Sequence, residues 1–412
     1  MNREQSNVFN TIISGRTSVA ILGSAGTGKS YTIKKIVEWA KKNCKNIGIT
    51  SSTGTSAITI GGRTIHSFLG IGLAKKDAYH LYLHTKSKYP GTIEKLKTLE
   101  MLVIDEISMV SDVLFDKISE YLCIIRKNKE PFGGVQLVLC GDMCQLPPVQ
   151  GEYCFKSNAW KHLNIKCVEL LVQVRQDGDK VFQQILNDAR FGKCTDESFE
   201  QLKKLKNPNF GEIEPTVLYS KNINVDEINI RKYKQLVDNG NQTRSYTSNF
   251  SDHKYTKTWA ESLGILEETQ YCIGAQVMLT VNLSVEEGFA NGSRGMITEF
   301  TDEGPVVLFK NGEQIVVEYW LYQDDNDDNI WVSAIPLKLA YALTIHKSQS
   351  MTLDAAIVDL GPSIFEYGQA YVALSRVRDM KSVKIINILK SSFQTHEDVI
   401  DFYKKLKTDS SS

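Results

Sequence analysis

Gly23-Ser24-Ala25-Gly26-Thr27-Gly28-Lys29-Ser30 decides how this chain is read. Two glycines with four residues between them, then a lysine and a hydroxyl residue, form a phosphate-binding pattern. The flanks agree with it. Residues 17–22 (Thr-Ser-Val-Ala-Ile-Leu) are a short, mostly apolar run that reads as a buried strand feeding the loop. Beyond the loop, Ile33, Ile36, Val37 and Ala40 recur at helical spacing. A strand, a glycine-rich turn and a helix N-terminus together aim several backbone N–H groups at one anion. Lys29 would then reach the β- and γ-phosphates, and the Ser30 hydroxyl would hold Mg²⁺. The pattern implies that residues 23–30 bind a nucleoside triphosphate.

A second apolar run, Met101-Leu102-Val103-Ile104, ends in Asp105-Glu106. Such a strand delivers Asp105 to the metal shell at its C-terminal end, where open α/β sheets bind ligands. Glu106 is then placed to take a proton from an attacking water, which marks a hydrolase rather than a kinase. A third strand is expected over 135–140, followed by Gly141-Asp142-Met143-Cys144-Gln145 and a Pro147-Pro148 stop. Gln145 is the residue there that could report on the γ-phosphate.

The bulk numbers narrow the class. At 412 residues the chain exceeds one ordinary core, so two or three domains are expected. Forty-eight basic residues balance 48 acidic ones, so nucleic-acid binding would need a local basic surface. No apolar run approaches the ~18 residues of a membrane span, and Met1-Asn2-Arg3-Glu4-Gln5 lacks the order of a secretory signal. The eight cysteines show no Cys-x-x-Cys spacing and read as reduced residues of an intracellular protein. Cys140 with Cys144, and His80 with His84, lack the spacing or third ligand of a metal site.

Further along, the motifs accumulate. Thr53-Gly54-Thr55 is followed by Gly61-Gly62-Arg63-Thr64-Ile65-His66-Ser67-Phe68. Val174-Arg175-Gln176, Asn291-Gly292-Ser293-Arg294-Gly295, Leu343-Thr344-Ile345-His346-Lys347-Ser348-Gln349 and Gly368-Gln369-Ala370-Tyr371-Val372-Ala373-Leu374-Ser375-Arg376 come after it. In this order they resemble the petite-integration-frequency (Pif) family of DNA helicases, in the type-B branch of helicase superfamily one, from about Glu4 to Asp379. Two departures stand out. Ser52 and Ser56 occupy places where the family usually has proline and alanine, and Ser350 replaces a glycine. If that glycine takes φ > 0 in relatives, serine costs about 1 kcal/mol there.

The resemblance implies an α/β fold of two RecA-like parallel-sheet P-loop motor domains. The first would cover 1–175, with a Lys/Tyr-rich wedge insert at 70–98. The second would comprise 176–245 and 334–412, interrupted at 246–333 by a β-barrel insert, Src-homology-like, that clamps DNA. Val306 to Val317 shows a hairpin pattern with a two-residue Asn311-Gly312 turn. The run Asp324 to Asp328 lacks the glycine and final glutamate of a calcium loop and reads as a solvated loop. Thr408 to Ser412 are expected to fray.

By the same resemblance the chain is an ATP hydrolase and 5′-to-3′ DNA helicase with Mg²⁺ and ATP as cofactors, serving replication, repair, recombination or telomere and genome maintenance. Gln5 would read adenine, Arg175 and Arg376 would bring charge to the γ-phosphate, and Gly23 to Ser30 would cradle the phosphates. Thr55, His66 and Phe68 would hold single-stranded DNA on one domain, and Thr344, His346 and Lys347 on the other. The partners implied are single-stranded DNA and duplex junctions, met by a monomer, with no membrane. An RNA strand stays open, because phosphate and stacking contacts tolerate either sugar. A translocase that strips proteins from single strands, or a DNA-binding scaffold with a dead ATP site, are the other readings. Intact Lys29, Asp105, Glu106 and Arg376 speak against the scaffold.

Overall fold

The computed structural model describes residues 1–15, 17–175, 178–205, 214–220, 225–284, 287, 289, 291–309, 311–324 and 329–409. The chain divides into two compact units. One is Met1–Asp196 with Glu366–Ser375 and Phe393–Ser412; the other is Glu197–Phe365 with Arg376–Ser392.

The first unit opens with helix α1 (Arg3–Ser14), whose start is fixed by a reciprocal cap. Gln5 N–H donates to Asn2 Oδ1 at 2.9 Å, and Asn2 N–H donates to Gln5 Oε1 at 3.0 Å. Strand β1 (Ser18–Gly23) is buried along its whole length and runs into the loop that starts helix α2 (Lys29–Lys42). The predicted Ile33, Ile36, Val37 and Ala40 are the buried face of α2. There follow β2 (Ile47–Ser51), α3 (Gly54–Thr59), β3 (Arg63–Thr64), α4 (Ile65–Leu69), α5 (Ala78–Lys88) and α6 (Pro90–Lys97). Then come β4 (Met101–Asp105), α7 (Asp112–Arg126), β5 (Gln136–Gly141), α8 (Asn158–His162), β6 (Ile165–Leu170) and α9 (Lys180–Arg190).

The six strands form one parallel sheet in the order β3-β2-β4-β5-β1-β6. Near-continuous apolar strands are what a sheet covered on both faces requires. Val19, Ile21, Val103, Val138 and Cys140 pack with Ile33 and Ile36 of α2 in one core. The segment expected as a wedge is a pair of helices, α5 and α6, joined at Tyr89. Ala78, Leu81 and Thr85 face inward, while Lys75, Lys76, Tyr79, Lys86 and Lys88 stay exposed.

The second unit takes in α10 (Asp196–Lys203), β7 (Thr216–Tyr219), α11 (Val225–Asp238), β8 (Thr243–Thr247), β9 (Asn249–Phe250), α12 (Thr256–Ser262), β10 (Glu268–Cys272) and β11 (Gln276–Leu279). It continues through β12 (Arg294–Phe300), β13 (Pro305–Phe309), β14 (Gln314–Val316), β15 (Trp320–Gln323), β16 (Trp331–Ala334), β17 (Leu337–Leu339), β18 (Ala342–Thr344), β19 (Ala356–Leu360) and β20 (Val383–Ile388). A parallel sheet, β18-β7-β19-β20, forms its α/β part. The β-rich insert is antiparallel: five strands ordered β14-β13-β12-β11-β17, three ordered β15-β16-β9, and the pair β10-β8.

Three expectations need correction. The β13–β14 hairpin closes on Leu308↔Gln314, and Phe309 N–H donates to Glu313 O at 2.8 Å. The loop therefore holds three residues, 310–312, rather than two; Gly312 at φ +86° takes its left-handed position. Lys310 and residues 325–328 of the acidic run lie outside the described residues. Helix α14 (Glu397–Asp409) includes Thr408 and Asp409, where a frayed end was expected, and residues 410–412 lie outside the described residues.

The third concerns the division itself. Residues 366–375, with helix α13 (Gln369–Leu374), and 393–412, with α14, pack with the first unit although they were expected in the second. Aromatic packing accounts for α14: Phe402 stacks on Phe155 with ring centroids 4.6 Å apart, and Tyr403 is fully buried.

Candidate functional site

The first unit's candidate residues gather where strands of its sheet end. β1 delivers the phosphate loop, β4 delivers Asp105 and Glu106, and β5, lying between them, delivers Gly141 and Asp142. Gly28 caps α2 in the left-handed region at φ +82°, and a side chain there would collide with the Gln5 amide. Gln5 is buried and donates from Nε2 to Thr27 O at 3.2 Å. Its place against the loop is as expected, but in this structure both ends of its amide are engaged by the chain. Lys29 Nζ donates to Gly23 O and Ser24 O, each at 2.9 Å, so its charge rests on the loop's own carbonyls. Thr27 Oγ1 closes the turn onto Ser24 O at 3.0 Å. Gly26 O receives the N–H groups of Val174 and Arg175 at 2.9 and 3.2 Å. Ser30 is half-buried in the first turn of α2.

Asp105 is 4% exposed, and its backbone neighbour Glu106 takes the left-handed conformation at φ +52°. A non-glycine residue held there is strained, and such strain concentrates at functional sites. Burial first, then the charge of Glu106, lifts the Asp105 carboxyl to about 6. The Ser56 hydroxyl, the Glu106 N–H and Lys29 pull the other way. Ser56 Oγ donates to Asp105 Oδ2 at 2.9 Å, and Ser52 Oγ donates to Glu106 O at 3.0 Å. Both serines singled out as departures from the family pattern thus touch the acid pair.

Sequence reasoning missed the buried network behind the loop. Ala25 N–H donates to Tyr371 Oη at 2.8 Å, and Tyr371 Oη donates to Asp142 Oδ2 at 2.9 Å. Tyr403 Oη donates to Asp142 Oδ1 at 3.0 Å. Arg190 grips the same carboxylate through Nε and Nη2 at 3.0–3.1 Å and reaches Glu169 Oε1 through Nη1 at 2.7 Å. Burial, then Asp142, pushes the Tyr371 phenol well up, so it remains a donor. The signals available were an acid directly after a buried strand and a tyrosine inside the Gly368–Arg376 motif. Gln145 is buried beside this network, with its N–H on Asp142 O at 2.9 Å. Arg175 Nη1 donates to Ser375 O at 3.1 Å, tying the phosphate loop's neighbour to the end of α13.

The remaining expected residues fall out unevenly. Arg376, in the second unit, is 1% exposed, and its Nη1 donates to Ser348 O and Met351 O at 3.3 Å each. Thr344 is buried, and its Oγ1 accepts the Lys347 N–H at 3.1 Å; it shapes a turn and does not face solvent as a DNA contact needs. Lys347 is exposed and His346 half-buried. Burial lowers the pKa of His66. The half-buried Phe68 ring puts its tip in the space where a side chain on Gly48 of β2 would stand, so that end packs against the sheet. Thr55 lies in α3, and its side chain is outside the description. Ser350 holds φ +67°, the left-handed conformation expected of a glycine there. Among the described residues no group of three or more His, Cys, Asp and Glu is arranged as a metal site, and none of the eight cysteines is in a disulfide. No helix among them is long and apolar enough to cross a membrane.

Comparison with known proteins places this geometry. The family model of PIF1-like helicases matches residues 1–200, and that of the DNA helicase Pif1 2B domain matches residues 270–300. The ATP-dependent DNA helicase Pif1 of Bdellovibrio bacteriovorus is 32% identical over 99% of this chain and 92% of its own length. The chain belongs to the PIF1-like helicase family. The ATP-dependent DNA helicase PIF1 of Xenopus laevis is 38% identical over 99% of this chain, which spans 64% of that relative's length. Among solved structures, the Pif1 helicase of Candida albicans superposes with a TM-score of 0.82 at 33% identity, covering 98% of this chain and 99% of that one. A Bacteroides Pif1 in complex with ADP-AlF4 gives 0.83 at 30% identity, covering 99% and 97%. The Bacteroides Pif1 bound to single-stranded DNA gives 0.69 at 30% identity, again covering 99% and 97%. The two parallel α/β sheets and the antiparallel β-rich insert described above are the parts that superpose on these Pif1 structures.

Proposed function

We propose that this PIF1-like chain is an ATP-driven motor that translocates 5′-to-3′ on single-stranded DNA and unwinds duplexes at their junctions. The observation that carries the reading is the convergence of the Lys29 loop and the buried Asp105–Glu106 pair at the ends of strands in one parallel sheet. The Bacteroides relative solved with ADP-AlF4 and with single-stranded DNA supports both nucleotide and DNA as ligands.

Each residue's part follows from its surroundings. Lys29 leaves the carbonyls of Gly23 and Ser24 for the phosphates, and the loop N–H groups hold the same anion. Ser30 and Asp105 offer hard oxygens only, which suits Mg²⁺. Two consecutive buried acids, Asp105 and Glu106, supply the negative charge that such a cation would meet. Mg²⁺ bound there would neutralise phosphate charge. Glu106, fixed by its strained backbone, takes the proton of the attacking water. Arg376 contributes charge in the transition state only after leaving Ser348 O and Met351 O, which makes its release a natural point of control. Arg175 is held next to the loop for the same purpose. Gln5 would exchange its present bond to Thr27 O for adenine. His66, His346 and the exposed Lys347 are the contacts we retain for DNA.

ATP turnover measured with single-stranded DNA, with RNA of the same sequence and with no polymer tests the reading, alongside unwinding of a forked duplex. Turnover should rise steeply with single-stranded DNA, and Glu106→Gln should abolish it while leaving nucleotide and DNA bound. Turnover indifferent to DNA, or retained by Glu106→Gln, would refute it.

A further inference from the structure

Serines 51, 52 and 56 bond to the acid pair, and Ser56 does so at a carboxylate. Ser51 Oγ and Ser52 N–H both donate to Asp105 O, at 3.3 and 3.2 Å, and Ser52 Oγ donates to Glu106 O. These three fix main-chain carbonyls. Ser56 is different: its hydroxyl donates to Oδ2 of the Asp105 side chain at 2.9 Å.

Local structure aims that hydroxyl. β2 pairs in parallel with β4, and its last residue, Ser51, lies opposite Asp105. The chain then turns into α3, whose start is capped by Thr53: the Ser56 N–H donates to Thr53 Oγ1 at 3.2 Å. Ser56 is 1% exposed. A serine inside a helix commonly turns its hydroxyl back onto the carbonyl four residues earlier. Here it reaches the carboxylate of a neighbouring strand end. A charge-assisted bond in so buried a place is stronger than an ordinary one, and it commits one of the two carboxylate oxygens.

We propose that Ser56 is a positioning residue of the ATP site: by holding Asp105 Oδ2 it fixes the orientation in which the other oxygen meets a divalent cation, and it ties α3 to that carboxylate. The proposal rests on the cation role given to Asp105 above. Alanine, which lacks the hydroxyl, cannot make the bond. A supporting partner behind a ligating carboxylate is worth about 10–100-fold in metal affinity where measured.

The test is Mn²⁺ binding in the presence of ADP, read by electron paramagnetic resonance on wild type, Ser56→Ala, Ser56→Thr and Asp105→Asn. Ser56→Ala should weaken Mn²⁺ by about tenfold, keep ADP affinity, and melt within about 2 °C of wild type, because alanine suits a helix interior. Ser56→Thr keeps the hydroxyl and should bind Mn²⁺ as wild type does. In turnover assays Ser56→Ala should raise the Mg²⁺ concentration for half-maximal rate while leaving kcat at saturating Mg²⁺ nearly unchanged. Unchanged Mn²⁺ affinity in Ser56→Ala, or a loss that Ser56→Thr shares, overturns the proposal. If wild type and Asp105→Asn bind Mn²⁺ equally, the cation role of Asp105 fails instead, and the proposal with it.

Discussion

Tyr371 and Ala25, 346 positions apart in the chain, share a hydrogen bond of 2.8 Å in which the loop's N–H is the donor. The tyrosine lies in α13, shortly ahead of Ser375 and Arg376, and its hydroxyl continues to Asp142. A backbone donor of the phosphate loop is thereby wired to the carboxylate at the end of β5. Any change in the loop's conformation must be accommodated by a fully buried tyrosine.

Tyr371→Phe should therefore lower stability without removing a group from the chemistry. It leaves the Ala25 N–H without this acceptor and strips one donor from Asp142, at a cost of about 1–3 kcal/mol. The expected fall in Tm is about 3–8 °C, with ADP affinity retained. Thermal melts and an ADP titration check this; a Tm equal to wild type would show that the network contributes nothing.

Arg190 is the stronger element of the same network. It is 3% exposed, bonds Asp142 on two nitrogens, reaches Glu169, and lies 4.6 Å from the Tyr403 ring centroid. Arg190→Met should cost about 3–5 kcal/mol, because it leaves buried carboxylates without their counter-charge. Adding Asp142→Asn to that variant should recover part of the loss, a non-additivity visible in urea melts. Strict additivity would mean that the two side chains act independently.

The strand–loop–helix at 18–42 was legible because each of its parts is local. The apolar run, the glycines and the helical repeat all lie in one short stretch of chain. The same holds for β4 with its two acids. What escaped were side chains joined across the fold. Nothing in the spacing of Asp142, Arg190, Tyr371 and Tyr403 shows that they converge, since tertiary packing alone decides which polar groups share a buried cavity. The left-handed backbone of Glu106 was equally hidden, because glutamate carries no preference for it. Ser350 was the reverse case. A missing glycine flagged a positive φ, and φ is +67° there.

Ser350→Gly should stabilise the protein by about 0.5–1 kcal/mol, since glycine enters the left-handed region without the Cβ penalty. The gain should appear as a rise in Tm of about 1–4 °C. A lower Tm would mean that the serine side chain's own contacts outweigh the strain.

Lys338 gives a pH dependence with a definite sign. Burial, then the nearby charge of Lys347, lowers its pKa from 10.5 to about 8. The unfolded chain thus holds this proton more tightly than the folded one between about pH 8 and 10.5. The charge destabilises the fold fully below about pH 8, and the penalty fades as pH rises through that window. The side chain keeps some solvent contact, which trims the effect. Lys338→Met should raise Tm by about 1–3 °C at about pH 7, and the gain should shrink by about pH 10. A gain that is constant with pH would place its origin in packing rather than charge.

Phe68→Ala separates two roles for one ring. The ring occupies the space above Gly48, with Leu102 on the same side, so its removal should open a gap against β2. For a half-buried aromatic this costs about 2–3 kcal/mol, below the roughly 3–5 kcal/mol of a fully enclosed phenylalanine. The expected result is a Tm lower by several degrees, with the folded protein binding single-stranded DNA as wild type does. A base stacked on the ring would give the opposite pair of results, because stacking is worth about 1–3 kcal/mol per base. Unchanged melting with an affinity for DNA about tenfold weaker would return Phe68 to the DNA-contacting residues.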